Sequence, residues 1–301
     1  KTAILARMDK AFQNKDKNES DRYVGEYVRN FLEQEPIPGI EWEYDFYKKA
    51  LPTIQLDEVN GLIANYLHDD NRVVVITGSE KEGIPKVTEK QVTDLLVEVE
   101  KSDIQPYQDS DLGEALMTEI PKLGAIIKEV KDENLGTTTL TLVNGATVVY
   151  KKTDFKDDEV LFEAFSYGGT NEYDLETYKK TARANGGLNE AGVNGFNKTD
   201  LGKMLTGKIA GVRPYIGSES EGMSGNATPK DLETLFQLIY LNFTSLNKDE
   251  KAFTSFASKQ KAFLGSIMSN PSIYFQIELG KFMNEKNERY MGFPTPEEFD
   301  A

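Results

Sequence analysis

The sequence predicts an α+β fold in which helices pack on one face of a mostly antiparallel sheet. Two observations support this prediction, namely β-hairpin signals in the second half of the chain and long amphipathic helices around them. The clearest hairpin signal is Asn144-Gly145, which separates an alternating run at residues 137–143 from a returning run at residues 146–152. The clearest helix start is the segment 228–231, which combines a capping threonine, a proline and an acid in the first turn.

The first 80 residues are predicted to form helices and one short strand. Apolar residues at helical spacing predict helices over residues 21–32, 42–50 and 56–67. The run 72–78 is rich in β-branched residues, which favours a buried strand. We therefore place the end of the first domain near residue 80.

Residues 81–133 differ in composition from the parts on either side. They are acidic and poor in aromatic residues, and several prolines interrupt them. One amphipathic helix is predicted over residues 87–99. We therefore expect an acidic linker between a domain at residues 1–80 and a second domain at residues 134–301.

The second domain is predicted to continue after the hairpin with further strands and helices. A strand is predicted over residues 159–166, a helix over residues 174–184 and a short helix over residues 199–207. Two more strands flank the glycine-rich segment 217–222. The helix that starts at Pro229 is predicted to bury one face, made of Leu232, Leu235, Phe236, Ile239, Tyr240 and Phe243.

The composition excludes most metal and thiol chemistry. The chain has one histidine, His68, and no cysteine, whereas zinc sites take their ligands from Cys and His with at most one or two carboxylates. The absence of cysteine also excludes disulfides, thiol nucleophiles and Cys-ligated clusters. His68 follows a predicted helix, where an imidazole can meet the helix carbonyls, so we interpret it as structural. The sequence therefore predicts no catalytic residue and no metal ligand in this chain.

The charge balance disfavours two classes of partner. The chain carries 35 basic and 50 acidic side chains, which give a formal net charge of −15. Nucleic-acid binding needs clustered Lys and Arg, and anionic membrane surfaces repel an acidic protein. No run approaches the roughly 20 apolar residues of a membrane helix. We therefore expect neither a nucleic-acid partner nor membrane insertion.

Four short motifs resemble functional sites without completing them. Residues 78–83 have the glycine spacing of a phosphate loop but lack its Lys-Ser/Thr pair. Residues 109–114 resemble the start of a calcium loop but lack its later ligands. The serines within residues 217–225 lack the nucleophile-elbow pattern. The acidic cluster at residues 157–159 leaves a carboxylate-dependent hydrolase as an alternative, although the sequence favours no particular pair.

Two stretches of the sequence carry a family resemblance. The first includes FLEQEPIPG (31–39), LPTI (51–54) and VNGL (59–62). The second includes FSYGGT (165–170), GVNGF (192–196), LTGK (205–208), PYIG (214–217) and GNATPKDLETL (225–235). They resemble the closing half of one domain and the opening half of the third domain in the insulinase/pitrilysin family of zinc peptidases, in its periplasmic bacterial branch.

The resemblance implies repeated α+β domains, of the metallopeptidase kind, that close over a peptide in an internal chamber. In this family an H-x-x-E-H motif binds zinc and activates a water molecule. The corresponding helix covers residues 181–189 and has neither a histidine nor an acid, which implies an inactive copy. We therefore expect zinc in a catalytic domain upstream of Lys1, and both ends of the sequence to lie inside a longer chain.

The leading hypothesis is a non-catalytic, substrate-enclosing portion of a zinc-dependent metalloendopeptidase. Its partners are then a peptide substrate and either the remaining domains or an active subunit, and the family implies a periplasmic or envelope location. Gly217, Gly222 and Gly225 would let a peptide backbone approach closely, as strand addition requires, or would instead serve turns and bulges. The alternative function is a motif-less scaffold or binding subunit that partners an active peptidase.

Overall fold

The computed structural model divides into two compact units. The larger unit consists of Lys1–Tyr47 and Leu112–Ala301, and the smaller unit of Lys48–Asp111. The residues that the structure describes are 1–66, 68, 70, 72–77, 86–105, 108, 112–113, 115–181, 184–267, 269–290, 293–294 and 299. The division into domains at residues 80 and 133 stays a prediction.

Helices and antiparallel strands occur together, which confirms the predicted α+β class. The helices are α1 (Thr2–Gln13), α2 (Ser20–Glu33), α3 (Ile40–Thr53), α4 (Leu56–Tyr66), α5 (Glu89–Lys101), α6 (Leu175–Thr181), α7 (Ala184–Ala191), α8 (Lys198–Met204), α9 (Leu232–Thr244), α10 (Glu250–Ile267) and α11 (Pro271–Met283). The strands are β1 (Ile126–Asp132), β2 (Thr137–Leu142), β3 (Thr147–Tyr150), β4 (Val160–Tyr167), β5 (Ala210–Ile216) and β6 (Ser220–Ala227). These strands form two three-stranded antiparallel sheets, ordered β1-β2-β3 and β4-β6-β5.

The helices predicted for the first part of the chain are confirmed as α2, α3 and α4, but the predicted strand is wrong. Residues 72–77 form no regular element, and Val73 and Val75 are 83% and 78% exposed. A β-branched run forms a strand only where a partner strand pairs with it, and none of the described residues pairs with this run. Residue 78, the possible phosphate loop after it and most of the possible calcium loop lie outside the described residues.

In the smaller unit, helix α5 and His68 agree with the predictions made from the sequence. The predicted helix over residues 87–99 is confirmed as α5, and it starts with a capping box in which Thr88 and Gln91 bond each other's backbone amides. His68 lies just after α4, with Nε2 2.8 Å from the Asn65 carbonyl oxygen. The histidine therefore contacts the end of a helix, as expected for a structural role.

The hairpin at Asn144-Gly145 is confirmed, and the sheet that contains it has one strand more than predicted. Gly145 has a φ of +86°, a conformation that favours glycine, and its amide donates to the Leu142 carbonyl at 2.9 Å. Strand β1 pairs with β2 and lies inside the stretch interpreted as a linker. Every residue of β1 is exposed, so neither face of the strand needs to be apolar. Its sequence, IIKEVKD, therefore lacks the regular alternation of apolar and polar residues that indicates a strand.

The best-packed core lies where α9 covers β5 and β6. Leu235, Leu238 and Leu241 are buried at i, i+3, i+6 spacing; Leu235 lies next to Gly225 of β6, and Leu238 and Leu241 join a buried cluster with Leu116 and Val193. The predicted buried face is therefore wrong for Phe236 and Phe243, which are 56% and 74% exposed, and also for Tyr240, which is 40% exposed. The periodicity of apolar residues did not identify the buried face of α9 correctly. The helix is apolar around most of its circumference, so its sequence is compatible with more than one buried face.

A buried carboxylate joins the start of α9 to the sheet. Asp231 is 2% exposed and accepts hydrogen bonds from the Ile209 amide at 2.8 Å and the Thr228 hydroxyl at 3.0 Å. The Lys208 ammonium lies 3.7 Å from it. Thr228 was predicted to cap the helix as a hydrogen-bond acceptor. In the structure its hydroxyl instead donates to the Asp231 carboxylate, which is the acceptor. Residues Pro229–Asp231 form a 3-10 turn before α9 begins.

A second polar link closes the glycine-rich loop at residues 192–196. The Asn247 side-chain amide donates to the carbonyls of Ala191 at 3.0 Å and Phe196 at 2.8 Å, and its oxygen accepts from the Gly195 amide at 2.8 Å. This single side chain therefore holds the loop beside Val193, which belongs to the buried cluster that also contains Leu238.

The chain leaves much more surface in contact with solvent than a self-contained protein of its mass. Its accessible surface is 23434 Å², whereas a folded monomer of 33.8 kDa is expected to expose about 13,000 Å². Much of the surplus consists of large apolar side chains on helices, as the exposed faces of α2, α4 and α11 show. The described elements are therefore regular, but many of their apolar faces lack a covering layer.

Candidate functional site

The three candidate glycines lie in the sheet β4-β6-β5 and in the turn that joins two of its strands. Gly217 follows β5, and its amide donates to the Ser220 carbonyl at 2.8 Å, which closes the turn. Gly222 and Gly225 lie in β6, the middle strand of the sheet, which pairs with β4 on one side and with β5 on the other. Strand addition needs an unpaired edge, and both edges of β6 are occupied where these two glycines lie.

Close packing inside the sheet explains why both positions in β6 lack a side chain. A Cβ atom at Gly222 would lie 1.9 Å from the Ala164 carbonyl oxygen and 2.9 Å from the Tyr215 hydroxyl. A Cβ atom at Gly225 would lie 2.5 Å from the Gly211 carbonyl oxygen and 3.2 Å from Leu235 of α9. These contacts favour a packing role for both glycines, whereas a direct part in peptide binding stays a prediction.

The sheet has an open face on the side opposite α9. Side chains alternate along a strand, and the pairing places Glu163, Ser224 and Arg213 in one row on this face. Glu163 and Arg213 lie two strands apart, which corresponds to about 10 Å between their backbones. A depression of about 500 Å³ lies on the sheet, lined by Leu161, Gly211, Val212, Arg213, Ser224, Gly225 and Asn226. The open face therefore combines one acid, one base and small polar groups.

An apolar strip borders the open face along β4. Leu161, Phe165 and Tyr167 lie on it and are 76%, 63% and 86% exposed. The rings of Phe165 and Tyr167 meet edge to face, with centroids 5.8 Å apart. Two aromatic side chains in contact restrict each other's rotamers, so little further side-chain entropy is lost when another chain binds to them. Such a pair is therefore suited to contact with another chain. The sequence analysis missed this strip because residues 161–167 read LFEAFSY, in which apolar and polar residues do not alternate.

The acidic cluster at residues 157–159 has a structural setting. The Asp157 amide donates to Asn14 Oδ1 at 3.1 Å, and the Glu159 carboxylate lies 4.0 Å from the Lys10 ammonium. These contacts join the loop before β4 to α1 and to the residues after it. The cluster is therefore engaged with the N-terminal helix, which gives no particular support to a carboxylate pair acting as acid and base.

The Asp158 carboxyl lies in this contact and has a raised pKa. Burial, and then the nearby Asp9 carboxylate, raise the pKa of Asp158, while Lys230 and Lys10 oppose that rise. Tyr44 donates a hydrogen bond to Asp9 at 3.0 Å, and this bond raises the pKa of the Tyr44 hydroxyl. The junction between α1 and the loop before β4 therefore contains a carboxyl that is destabilised when ionised.

Helix α7, which overlaps the segment 181–189 singled out in the sequence, packs by its glycines. In α7 a Cβ atom at Gly186 would lie 2.7 Å from the ring of Phe256, and one at Gly187 would lie 3.1 Å from the ring of Phe253, both in α10. Residues 182 and 183 lie outside the described residues. Among those described, no three His, Asp or Glu side chains come together as a possible metal site. In the same part of the chain, no helix has the length and apolar character needed to cross a bilayer.

Comparison with known proteins identifies relatives among zinc proteases. A protein of Arabidopsis thaliana described as a PQQL-like zinc protease is 29% identical over 243 residues, which cover 80% of this chain and 23% of that protein. The crystal structure of the periplasmic protease PqqL from Escherichia coli matches 99% of this chain and 33% of its own, with a TM-score of 0.52 and 15% identity. No protein-family model matches the sequence.

A further solved structure has the same fold and includes a bound protein. The ferredoxin protease FusC, in complex with Arabidopsis ferredoxin, matches the whole of this chain and 33% of its own, with a TM-score of 0.53 and 15% identity. The chain thus spans about a quarter to a third of the length of the relatives that it matches. The resemblance to insulinase-type zinc peptidases, stated from the sequence, is confirmed.

Proposed function

We propose that this chain, which resembles the PqqL-like zinc proteases, is a non-catalytic, substrate-enclosing section of such a protease. The observation that supports this proposal best is the uncovered apolar surface of a chain that spans only part of its relatives. A section of a larger protein exposes the faces that its neighbouring sections cover, whereas an independent protein buries them.

The catalytic chemistry of the parent protein lies outside this chain in our proposal. An inverted zinc motif needs two histidines and a glutamate on one helix, and this chain has a single histidine. The helix in the corresponding place, α7, uses Gly186 and Gly187 to pack closely on α10. Zinc would then be held by a separate catalytic domain of the same polypeptide, and this section would shape the chamber in which the peptide lies.

The open face of the sheet β4-β6-β5 is the part of this section that we propose contacts the substrate. Its apolar strip offers Phe165 and Tyr167 to side chains, and Glu163 and Arg213 offer charges of both signs to an extended peptide. Gly222 leaves room on this face for the Tyr215 side chain, whose hydroxyl lies 2.9 Å from the place where a Cβ atom at Gly222 would be. FusC was solved with a protein bound to it, and by analogy we propose polypeptides as the substrate class here.

A matched pair of tyrosine variants tests the role of the open face. Tyr167→Ala removes an aromatic ring that is 86% exposed on the open face, and Tyr150→Ala removes a ring that is 51% exposed on β3 of the other sheet. In the parent protease we expect Tyr167→Ala to raise KM about fivefold or more, which corresponds to the roughly 1 kcal/mol or more that truncating an important interface residue costs. Equal KM values for the two variants would remove the open face from the proposal.

The location and the second candidate function follow from the same comparison. PqqL is a periplasmic protease, so we propose a periplasmic or envelope location for the parent protein. The alternative is a motif-less scaffold subunit that partners a separate active peptidase. The low identity to the zinc protease relatives and the complete replacement of the zinc motif by a glycine-containing helix keep this alternative open.

The complete reading frame that contains these residues separates the two functions. An H-x-x-E-H segment on a helix in the same polypeptide would support the non-catalytic section of a working protease. A frame that continues without this motif would overturn that proposal and favour the scaffold. A zinc-bearing peptidase that copurifies with the scaffold would then be the partner to identify.

A further inference from the structure

Four Asn-Gly pairs occur in this chain, at residues 60–61, 144–145, 185–186 and 194–195. In such a pair the backbone nitrogen of the glycine can attack the side-chain carbonyl carbon of the asparagine, because glycine has no side chain to hinder the approach. The attack requires rotation about the asparagine ψ and a glycine amide that can leave its hydrogen-bond partner. The four pairs have different surroundings, and these surroundings decide where the reaction occurs.

Two of the pairs lie inside helices. Residues 60–61 belong to α4 and residues 185–186 to α7. A regular helix fixes the ψ of each of its residues, so the rotation that the attack needs requires the helix to open first. The helical backbone therefore protects both asparagines.

The pair at 194–195 lies in the loop that Asn247 closes. The Gly195 amide donates to Asn247 Oδ1 at 2.8 Å. The Asn194 backbone amide donates to the Ser245 carbonyl at 2.7 Å, and its side-chain amide donates to the Leu116 carbonyl at 2.9 Å. Partners distant in the sequence therefore hold both reacting groups, and the attack requires these bonds to break together.

The pair at 144–145 lies at the open tip of the hairpin between β2 and β3. Residues 143–150 are all exposed, and a Cβ atom built on Gly145 meets nothing within 4 Å. The Gly145 amide donates only to the Leu142 carbonyl of the same turn, at 2.9 Å. Asn144 Oδ1 accepts a hydrogen bond from the Ala146 amide at 3.1 Å. A donor at this oxygen stabilises the negative charge that develops on it during the attack.

We infer that Asn144 is a site of spontaneous covalent modification, at which the side-chain amide converts through a cyclic imide into aspartate and isoaspartate, while the other three pairs are protected in the folded protein. The Gly145 nitrogen loses its proton to a solvent base and bonds to Asn144 Cγ. The Cγ–Nδ2 bond breaks, and the nitrogen takes up a proton and leaves as ammonia. Solvent water then opens the ring, at the side-chain carbonyl to give aspartate or at the backbone carbonyl to give isoaspartate.

The modification changes both the charge and the backbone of the hairpin. Each conversion replaces a neutral amide by a carboxylate at the tip. Isoaspartate also inserts one additional carbon into the backbone of the turn. Because the length of the connection fixes the register of a hairpin, isoaspartate disturbs the pairing of β2 with β3. The reaction is faster at higher pH because the glycine nitrogen must lose its proton.

The test follows all four pairs in one protein, the polypeptide encoded by the complete reading frame, kept folded in mildly alkaline buffer made with water enriched in heavy oxygen. Tandem mass spectrometry of its peptides gives the converted fraction of each asparagine, and the heavy oxygen marks conversion during the incubation. The same incubation in concentrated urea gives the rate of each pair without structure. Relative to these reference rates, we expect Asn144 in the folded protein to convert at least about tenfold faster than Asn194 and the two helical pairs.

Asn247→Ala tests the assigned cause of the protection in the loop. This variant removes the acceptor of the Gly195 amide and both bonds that close the loop. We expect it to raise the conversion of Asn194 and to leave the pairs at 60–61 and 185–186 as slow as before. These two pairs are the internal control, because a general loss of structure would raise them as well.

The outcomes decide the inference independently of the proposed function, since none of them depends on zinc or on peptide hydrolysis. Equal slowing of Asn144 and Asn194 in the folded protein would overturn the assignment of the site. Conversion of Asn144 to aspartate without any isoaspartate would overturn the cyclic imide. An unchanged rate at Asn194 in Asn247→Ala would overturn the protection that the closed loop is inferred to give.

Discussion

The close approach of strands β4 and β6 at Gly222 can be tested by adding one methyl group. In Gly222→Ala the new Cβ would lie 1.9 Å from the Ala164 carbonyl oxygen, a backbone atom that cannot turn away as a flexible side chain can. Either β4 separates from β6 or the strands shift and lose hydrogen bonds. Overpacking of this kind costs roughly 1–3 kcal/mol. Replacing glycine by alanine in a strand recovers about 0.5 kcal/mol of backbone entropy, so we expect a net loss of about 1.5 kcal/mol.

Gly211→Ala is the matched control for this prediction. Gly211 lies in β5 of the same sheet, and a Cβ atom built on it meets nothing within 4 Å. We therefore expect this variant to be as stable as the parent chain or more stable by about 0.5 kcal/mol. Urea unfolding followed by far-ultraviolet circular dichroism measures both differences as shifts of the midpoint at constant slope. If Gly222→Ala unfolds at the same urea concentration as Gly211→Ala, the close approach of β4 and β6 is refuted.

Three further predictions concern the polar contacts of the larger unit. Asp231→Ala should lower the free energy of unfolding by about 2 kcal/mol, because it leaves buried donors without an acceptor, and urea unfolding measures this. Asn247→Ala should cost a similar amount, about 2 kcal/mol, and should speed the exchange of the Gly195 amide that it releases. The raised pKa of Asp158 implies that the folded state gains stability as the pH falls through that pKa towards the ordinary value of 3.8. Asp158→Asn should therefore stabilise the chain at neutral pH and flatten the pH dependence of stability above 3.8, and an unchanged pH profile would contradict this.

Local signals in the sequence were enough to locate most elements of the fold. The capping box before α5, the Asn144-Gly145 turn and the amphipathic pattern of α2 act through neighbouring residues, so a single sequence contains their cause. The strand predicted at residues 72–78 failed because a strand requires a partner, and pairing is not a local property. The buried face of α9 failed for a related reason, since an all-round apolar helix has no single periodicity to follow.

The candidate site was predictable only in part. The sequence singled out the glycines at 217, 222 and 225 as candidates for peptide binding, which stays a prediction, and their contacts depend on which strand occupies the middle of the sheet. Strand order is set by long-range pairing, so the sequence alone left open whether a peptide or a neighbouring strand fills the space beside them. The open face, with Glu163 and Arg213 on either side of Ser224, appears only once β4, β5 and β6 are aligned.

Zinc content and peptide hydrolysis, measured together on two purified proteins, test the central claim most directly. The first protein is the polypeptide encoded by the complete reading frame, and the second is this 301-residue chain. We predict stoichiometric zinc and chelator-sensitive hydrolysis in the first, and neither zinc binding nor hydrolysis in the second, because a single histidine cannot complete an inverted zinc motif. Stoichiometric zinc in the isolated chain, or hydrolysis by it that survives chelation, would contradict the account.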